Sequence, residues 1–290
     1  MAATPITIDP ATPFGSVHSI EPTLQHTHTA ILLHGRGSSG KEFAEELVES
    51  RLSDQNTLMQ KLPGWRWVFP SSRELWSTLF EEEMPAWFEA HSLTDITARQ
   101  DLQMEGIRES VRYLEGILEE EIKRLGGLAE NVVLGGISQG GAIGMWTLLC
   151  ASNSMSGRRL GAFVGASTWL PFATNIEEFL SRDESFRNRE KAGLGSREAD
   201  GFVEVMMARL RNSLVDSRDS TPLLSTPVFL GHGIDDAIVD VELGRQAKLV
   251  LTKIGLCVEW KEYSGADQEG HWLKEPEQVD DILSFLHSRC

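Results

Sequence analysis

One serine stands among four glycines in Gly135–Gly141, "GGISQGG", directly after the apolar run "NVVL". The Gly-x-Ser-x-Gly spacing suits a nucleophile held at a sharp strand-to-helix corner, because a side chain two places either side of the serine would crowd the backbone there. The helix-like "AIGMWTLLCA" that follows would point its amino end at Ser138, favouring negative charge beside it. A serine so placed attacks a carbonyl only when a base takes its proton, and at such a corner the partners follow in the order acid, then histidine.

The acid is offered by "PVFLGHGIDDAIVD", where Asp235 and Asp236 compete. The His-Gly-x-x-Asp pattern selects Asp236 and leaves Asp235 as a turn residue. For the base, His271 in "GADQEGHW" follows the last strand-like run and precedes the helical stretch "EPEQVDDILSFLHSR". His287 falls inside that stretch and reads as a surface histidine. His34 and His232, each before a glycine, read as buried structural histidines. The ring nitrogens of His271 would bond Ser138 and Asp236, fixing the tautomer and stabilising the imidazolium.

The oxyanion of such a reaction needs donors. "HGRGSSG", straight after "AILL", offers backbone amides in a tight turn, and the residue after the nucleophile supplies another. Arg36 and Gln139 are therefore the expected donors, through their N–H groups.

These residues need a scaffold that brings distant segments to one edge. Short apolar runs recur from Ala30, Trp65, Asn131, Gly161, Pro227 and Cys257, and read as strands. Between them lie helical patterns, the clearest placing Met104, Ile107, Val111, Leu114, Leu118, Ile122 and Leu125 on one face. The alternation predicts an α/β fold with a mostly parallel sheet covered by helices on both faces, and sites at the carboxyl ends of its strands. Residues 1–18 read as an extended N-terminal arm. Residues 172–220, rich in mixed charge, break the rhythm between the Gly161 strand and the acid loop. They read as an insertion over the strand ends, either a lid or an inert surface elaboration, within a single domain spanning 1–290.

Forty-three acidic against 27 basic residues leave a net charge of −16, which disfavours nucleic acid and anionic membrane surfaces. Cys150, Cys257 and Cys290 are odd in number and widely spaced, against a disulfide framework or a zinc cluster and in keeping with a reducing compartment. The amino-terminal stretch has no signal-peptide pattern and no apolar run approaches membrane-spanning length, so a cytoplasmic protein is expected. The mixed charge of 201–216 leaves at most weak membrane association. A monomer or a homodimer is expected.

Together the segments "EPTLQHTHTAILLHGRGSSG", "VFPSS", "MPAWFEA", "LGGISQGGAIGMW", "GASTWLPF", "GHGIDDAIV" and "GHW" resemble, in order, the acyl-protein thioesterase or phospholipase/carboxylesterase family of α/β-hydrolases. The resemblance implies a metal-free and cofactor-free serine esterase or thioesterase, with Ser138, Asp236 and His271 as triad and Arg36 and Gln139 as oxyanion donors. Its substrates would be acyl esters or thioesters, S-acylated proteins among them. It further implies Trp169, Leu170 and Trp87 as substrate-binding residues, with Phe88 beside Trp87 in the "WF" signature. The alternatives are a small-molecule carboxylesterase or lysophospholipase and, from another class, a ligand-binding module without turnover. The chain departs from the family where Arg36 stands in place of the usual leucine, in its longer link to the acid loop, and in its longer approach to His271.

Overall fold

A computed structural model describes residues 13–92, 94–151, 158–181, 194–216 and 222–289. Its elements run β1 (His18–Ile20), β2 (His28–Leu33), α1 (Gly40–Glu49), α2 (Leu58–Lys61), β3 (Trp65–Phe69), β4 (Arg73–Ser77), β5 (Glu82–Ala86), α3 (Gln103–Arg124) and β6 (Val132–Ile137). Then follow α4 (Gln139–Cys150), β7 (Ala162–Ala166), α5 (Ala173–Ser181), α6 (Leu194–Asp216), β8 (Val228–Gly233), α7 (Val241–Ile254), β9 (Val258–Tyr263) and α8 (Glu277–Arg289). All six strands predicted from apolar runs are present.

Seven strands form one sheet in the order β1-β3-β2-β6-β7-β8-β9, with short β1 antiparallel to β3 and every other pairing parallel. Alternate side chains feed two cores. Ile31, Leu33, Leu134, Phe163 and Leu230 face α3, α4 and α7, while Ala30, Val133, Ile137, Val164 and Phe229 face α1 and α8. This is why the strands read as unbroken apolar runs: helices dry both faces. All twelve residues of α4 are buried, so it shows little amphipathic character.

β4 and β5 pair antiparallel as a separate hairpin. It escapes sequence reading because "RELWS" and "EEMPA" carry little apolar alternation, and its turn leaves Leu79 and Phe80 exposed.

The described part of the inserted segment does not lie over the strand ends. α5 and α6 pack on the α4 and α7 face, where Phe202 of α6 meets Phe172 at 4.7 Å and Trp146 at 5.5 Å between ring centres. Residues 182–193 and 217–220 lie outside the described residues, as do 1–12 of the expected arm. Of that arm's described part, Phe14 stacks on Tyr113 at 4.0 Å and Gly15 donates to the Ser72 carbonyl. Among the described residues, no helix is long and apolar enough to cross a membrane.

Candidate active site

β6 and α4 are joined by Ser138 alone, at φ 54° and ψ −126°. A serine in that region stores strain of about 1–3 kcal/mol, which the surrounding packing must hold. Two glycines make the corner possible. A Cβ on Gly140 would stand 2.1 Å from the Leu33 carbonyl oxygen, and one on Gly136 would stand 2.6 Å from the Gly140 carbonyl carbon. The corner is then tied down: Ser138 N–H donates to the Ala166 carbonyl at 3.0 Å, and its own carbonyl accepts from the Thr168 hydroxyl at 2.7 Å.

Asp236 lies three residues beyond β8 with its side chain fully buried. Its Oδ1 accepts the Ile238 and Val239 amides at 2.9 Å each, and its Oδ2 accepts His271 Nδ1 at 2.8 Å. His232 Nε2 stands 3.3 Å from the same Oδ2 while pairing with the Val239 carbonyl at 2.9 Å. Burial alone would raise the carboxyl's pKa. The hydrogen bonds from His232, His271 and the Val239 amide outweigh it and hold the carboxyl well below its usual range, so it is a carboxylate at neutral pH. Asp235 turns away and accepts the Gly265 amide at 2.7 Å. Of the two competing carboxylates, Asp236 is the one that meets the histidine.

His271 sits in a tight turn before α8, preceded by Gln268 (φ 53°), Glu269 (φ 57°) and Gly270 (φ 84°). This left-handed run is knitted to the acid loop, since the Ala237 amide donates to the Glu269 carbonyl at 3.0 Å. With Nδ1–H given to Asp236, Nε2 keeps its lone pair. Ser138 and His271 line one cavity of about 540 Å³. Among the described residues no hydrogen bond joins Ser138 Oγ to His271, and catalytic pairs of this kind commonly tighten only on substrate.

On the other side of Ser138 lies the turn after β2. A Cβ on Gly35 would stand 3.4 Å from Ser138 Cβ, so the turn is in contact with the serine. Arg36 and Gln139 both line the cavity. The Arg36 amide donates to no described carbonyl, and that of Gln139 is the first of the N–H groups that α4 leaves without an intrahelical acceptor. The Arg36 side chain braces this turn: Nη1 donates to the Ala90 carbonyl at 2.9 Å and the guanidinium lies 5.0 Å from the Phe80 ring centre. Burial lowers its pKa, with Glu89 opposing. The Gly37 amide adds a bond to the Pro85 carbonyl, and Ser39 with Glu42 forms a capping box that starts α1.

The side chain of Gln139 is fully engaged. Its Oε1 accepts the Trp87 amide at 2.9 Å and its Nε2 donates to the Phe88 carbonyl at 2.8 Å, while Trp87 Nε1 donates to the His34 carbonyl. His34 is neutral: burial lowers its pKa to about 4, only partly opposed by its bond to the Gly35 carbonyl and by Glu42. Its Nε2 accepts the Ser72 amide at 3.0 Å. Trp169 stands on the cavity wall. Trp87 and Leu170 do not line it; both are buried behind it in the core. The wall also includes Phe43 of α1, Ile238 of the acid loop, and Gln268, Glu269 and Trp272 of the loop before α8, which sequence reasoning did not single out because these three segments meet only in the fold. Among the described residues, no group of three or more His, Cys, Asp or Glu is arranged to hold a metal ion.

A parallel sheet that presents a strained corner serine on one strand end, and two strands along a carboxylate already paired with a histidine, defines a serine esterase of the α/β-hydrolase class. Within that class, residues 16–185, more than half of the chain, match the family described as phospholipase/carboxylesterase, and the chain belongs to it. It is 28% identical over 270 residues to acyl-protein thioesterase 1 of Gibberella zeae, an alignment covering 91% of this chain and 92% of that one. It is 27% identical to the probable carboxylesterase SOBER1-like of Arabidopsis thaliana, covering 89% and 77% of the two chains. The fold is shared with the crystal structure of Zea mays acyl-protein thioesterase 2 at a TM-score of 0.64 and 22% identity, covering 95% of this chain and 99% of that one.

Proposed function

We propose that this enzyme hydrolyses carboxylic ester and thioester bonds of acyl chains, S-acylated proteins among its substrates, with Ser138 as nucleophile, His271 as base and Asp236 as the group that orients it. The reading rests above all on the Asp236–His271 pair, 2.8 Å apart, opening on the same cavity as the strained corner of Ser138. His271 Nε2 takes the Ser138 proton as Oγ attacks the acyl carbon. The amides of Arg36 and Gln139 receive the oxyanion, each contributing about 3 kcal/mol on the scale of comparable donors. His271 then returns the proton to the departing thiol or alcohol, and a water activated by the same nitrogen clears the acyl-enzyme.

Activity on thioesters is supported by the likeness to proteins named acyl-protein thioesterase. A second reading, a small-molecule carboxylesterase or lysophospholipase, is favoured by the likeness to a protein named carboxylesterase, and by Arg36, Glu46 and Glu269 at the cavity, which suit a polar alcohol portion. A fluorophosphonate probe should label wild type and not Ser138→Ala; equal labelling of both overturns the assignment. Matched oxygen and sulfur esters then separate the readings: activity confined to oxygen esters favours the second.

A further inference from the structure

Two neighbouring residues of the amino-terminal arm, Phe14 and Gly15, reach His34 by separate routes. Gly15 donates its amide to the Ser72 carbonyl at 2.9 Å, and the Ser72 amide in turn donates to His34 Nε2 at 3.0 Å. The rings of Phe14 and Trp87 have their centres 6.5 Å apart, and the Trp87 indole donates to the His34 carbonyl at 2.9 Å. One route ends on the imidazole of His34 and the other on its main chain. The seat of the arm is well packed. The Phe14 ring stacks on Tyr113 at 4.0 Å between centres, and the Arg73 guanidinium, itself paired with Glu109, lies 4.9 Å from its centre. A Cβ on Gly15 would stand 2.7 Å from the Ser71 Cβ, so the arm is pressed against the segment after β3. Neither Phe14 nor Gly15 falls within residues 16–185, the part of the chain that matches the family.

His34 matters for what it holds. With Nε2 accepting an amide, Nδ1 is the protonated nitrogen, and it donates to the Gly35 carbonyl at 2.7 Å. In a trans peptide that carbonyl and the following N–H, here of Arg36, lie in one plane and point in opposite directions. Holding the Gly35 carbonyl therefore aims the Arg36 amide. A donor of this kind stabilises an oxyanion only when it is aimed before the charge develops.

We propose that Phe14 is a positioning residue for the reaction: with Gly15 it clamps His34 by two routes, and His34 fixes the peptide that carries the Arg36 amide. The inference rests on the serine-hydrolase reading above. A loosened arm leaves Ser138, His271 and Asp236 in place and blunts the oxyanion contact. It lowers kcat and leaves KM nearly unchanged, because the contact strengthens only as the transition state forms.

The test compares wild type with Phe14→Ala and with Phe14→Tyr, which keeps the aromatic face. Circular dichroism first establishes that each variant is folded; if Phe14→Ala is not, the same readouts are taken on Phe14→Leu. Removing an oxyanion donor outright costs about 10²–10³ in kcat, so misaiming one should cost about ten-fold in Phe14→Ala, with KM within about two-fold of wild type. The inhibition constant of a trifluoromethyl ketone, whose adduct with Ser138 carries the oxyanion, should rise by the same factor. Phe14→Tyr should restore both. A lowered melting temperature with neither change in the folded variant overturns the proposal, since that is all a packing role would produce. One readout is free of turnover: the His34 Nδ1 proton, followed by NMR in protein labelled at histidine nitrogen, should exchange with solvent faster in Phe14→Ala. If it does so while wild type neither turns over esters nor reacts with a fluorophosphonate, the hydrolase reading falls and the clamp on the turn stands. If wild type is active and neither the exchange nor kcat changes, the clamp falls.

Discussion

Gln139 accepts the backbone amide of Trp87 on its side-chain oxygen, and with the other end of the same carboxamide grips the Phe88 carbonyl. One residue thus offers its main-chain N–H to the cavity and fastens the "WF" segment with its side chain. Trp87 in turn bonds the His34 carbonyl, so the two proposed oxyanion amides are linked through a single buried chain of contacts. Gln139→Ala keeps the amide and removes this brace. It should lower kcat about ten-fold with little change in KM, and destabilise the fold by about 1–3 kcal/mol for each buried partner left unpaired. Steady-state kinetics and urea unfolding check both.

The geometry distinguishes two adjacent carboxylates. Asp236→Asn should cost on the order of 10⁴ in kcat, because an amide nitrogen facing Nδ1 stabilises the wrong tautomer of His271. Asp235→Asn, which can still accept the Gly265 amide, should stay within a few-fold of wild type. The reverse pattern would move the acid to Asp235.

His232 is the second histidine on the acid. His232→Phe fits an aromatic ring into the same site but leaves the Val239 carbonyl and Asp236 each short of one partner. A fall in kcat/KM of about ten-fold, accompanied by about 1–3 kcal/mol of lost stability, is expected. Unchanged turnover in the folded variant would reduce His232 to core filling.

His34 supplies a pH dependence of stability. Its pKa is about 4 in the folded protein against 6.5 for an ordinary histidine, so the folded state resists the proton that the unfolded chain accepts. The contribution is complete above pH 6.5 and is lost as the pH falls towards 4, amounting to roughly 3 kcal/mol. The buried carboxylate of Asp236 adds a further loss only below the ordinary aspartate value of 3.8. Denaturant titrations between pH 7 and pH 4 should show the decline, and His34→Gln should flatten it within that window.

Glycines outside and inside the corner should behave oppositely. Gly140→Ala drives a methyl group into two main-chain carbonyls and should cost about 3 kcal/mol or more along with activity. Gly116→Ala, on the exposed side of α3 with nothing within 4 Å, should gain up to about 1 kcal/mol. Thermal melts of the two variants provide the comparison.

The strands, the serine corner and the order of acid and histidine are legible in the sequence because each is written locally: apolar runs, glycines two places from a serine, a His-Gly-x-x-Asp pattern. What escapes is whatever depends on side chains meeting across the fold. Nothing near Gln139 announces that its carboxamide will hold residues fifty positions earlier, and Thr168 gives no sign that its hydroxyl will hold the Ser138 carbonyl. Trp87 shows the limit from the other side, since an aromatic beside a site motif reads equally as wall or as foundation until burial is known. The hairpin β4–β5 is invisible for want of apolar alternation, yet it buttresses the Arg36 turn through Pro85 and Phe80.

The aromatic cluster of Phe172, Phe202 and Trp146 bears on what α6 does for the fold. By burying Phe202 against Trp146 of α4 and Phe172 of the loop after β7, α6 is part of the foundations. Deleting α6 would open the interior beside α4. α6 thus acts as a keystone, closing the α4 side of the core with a ring packed between two others.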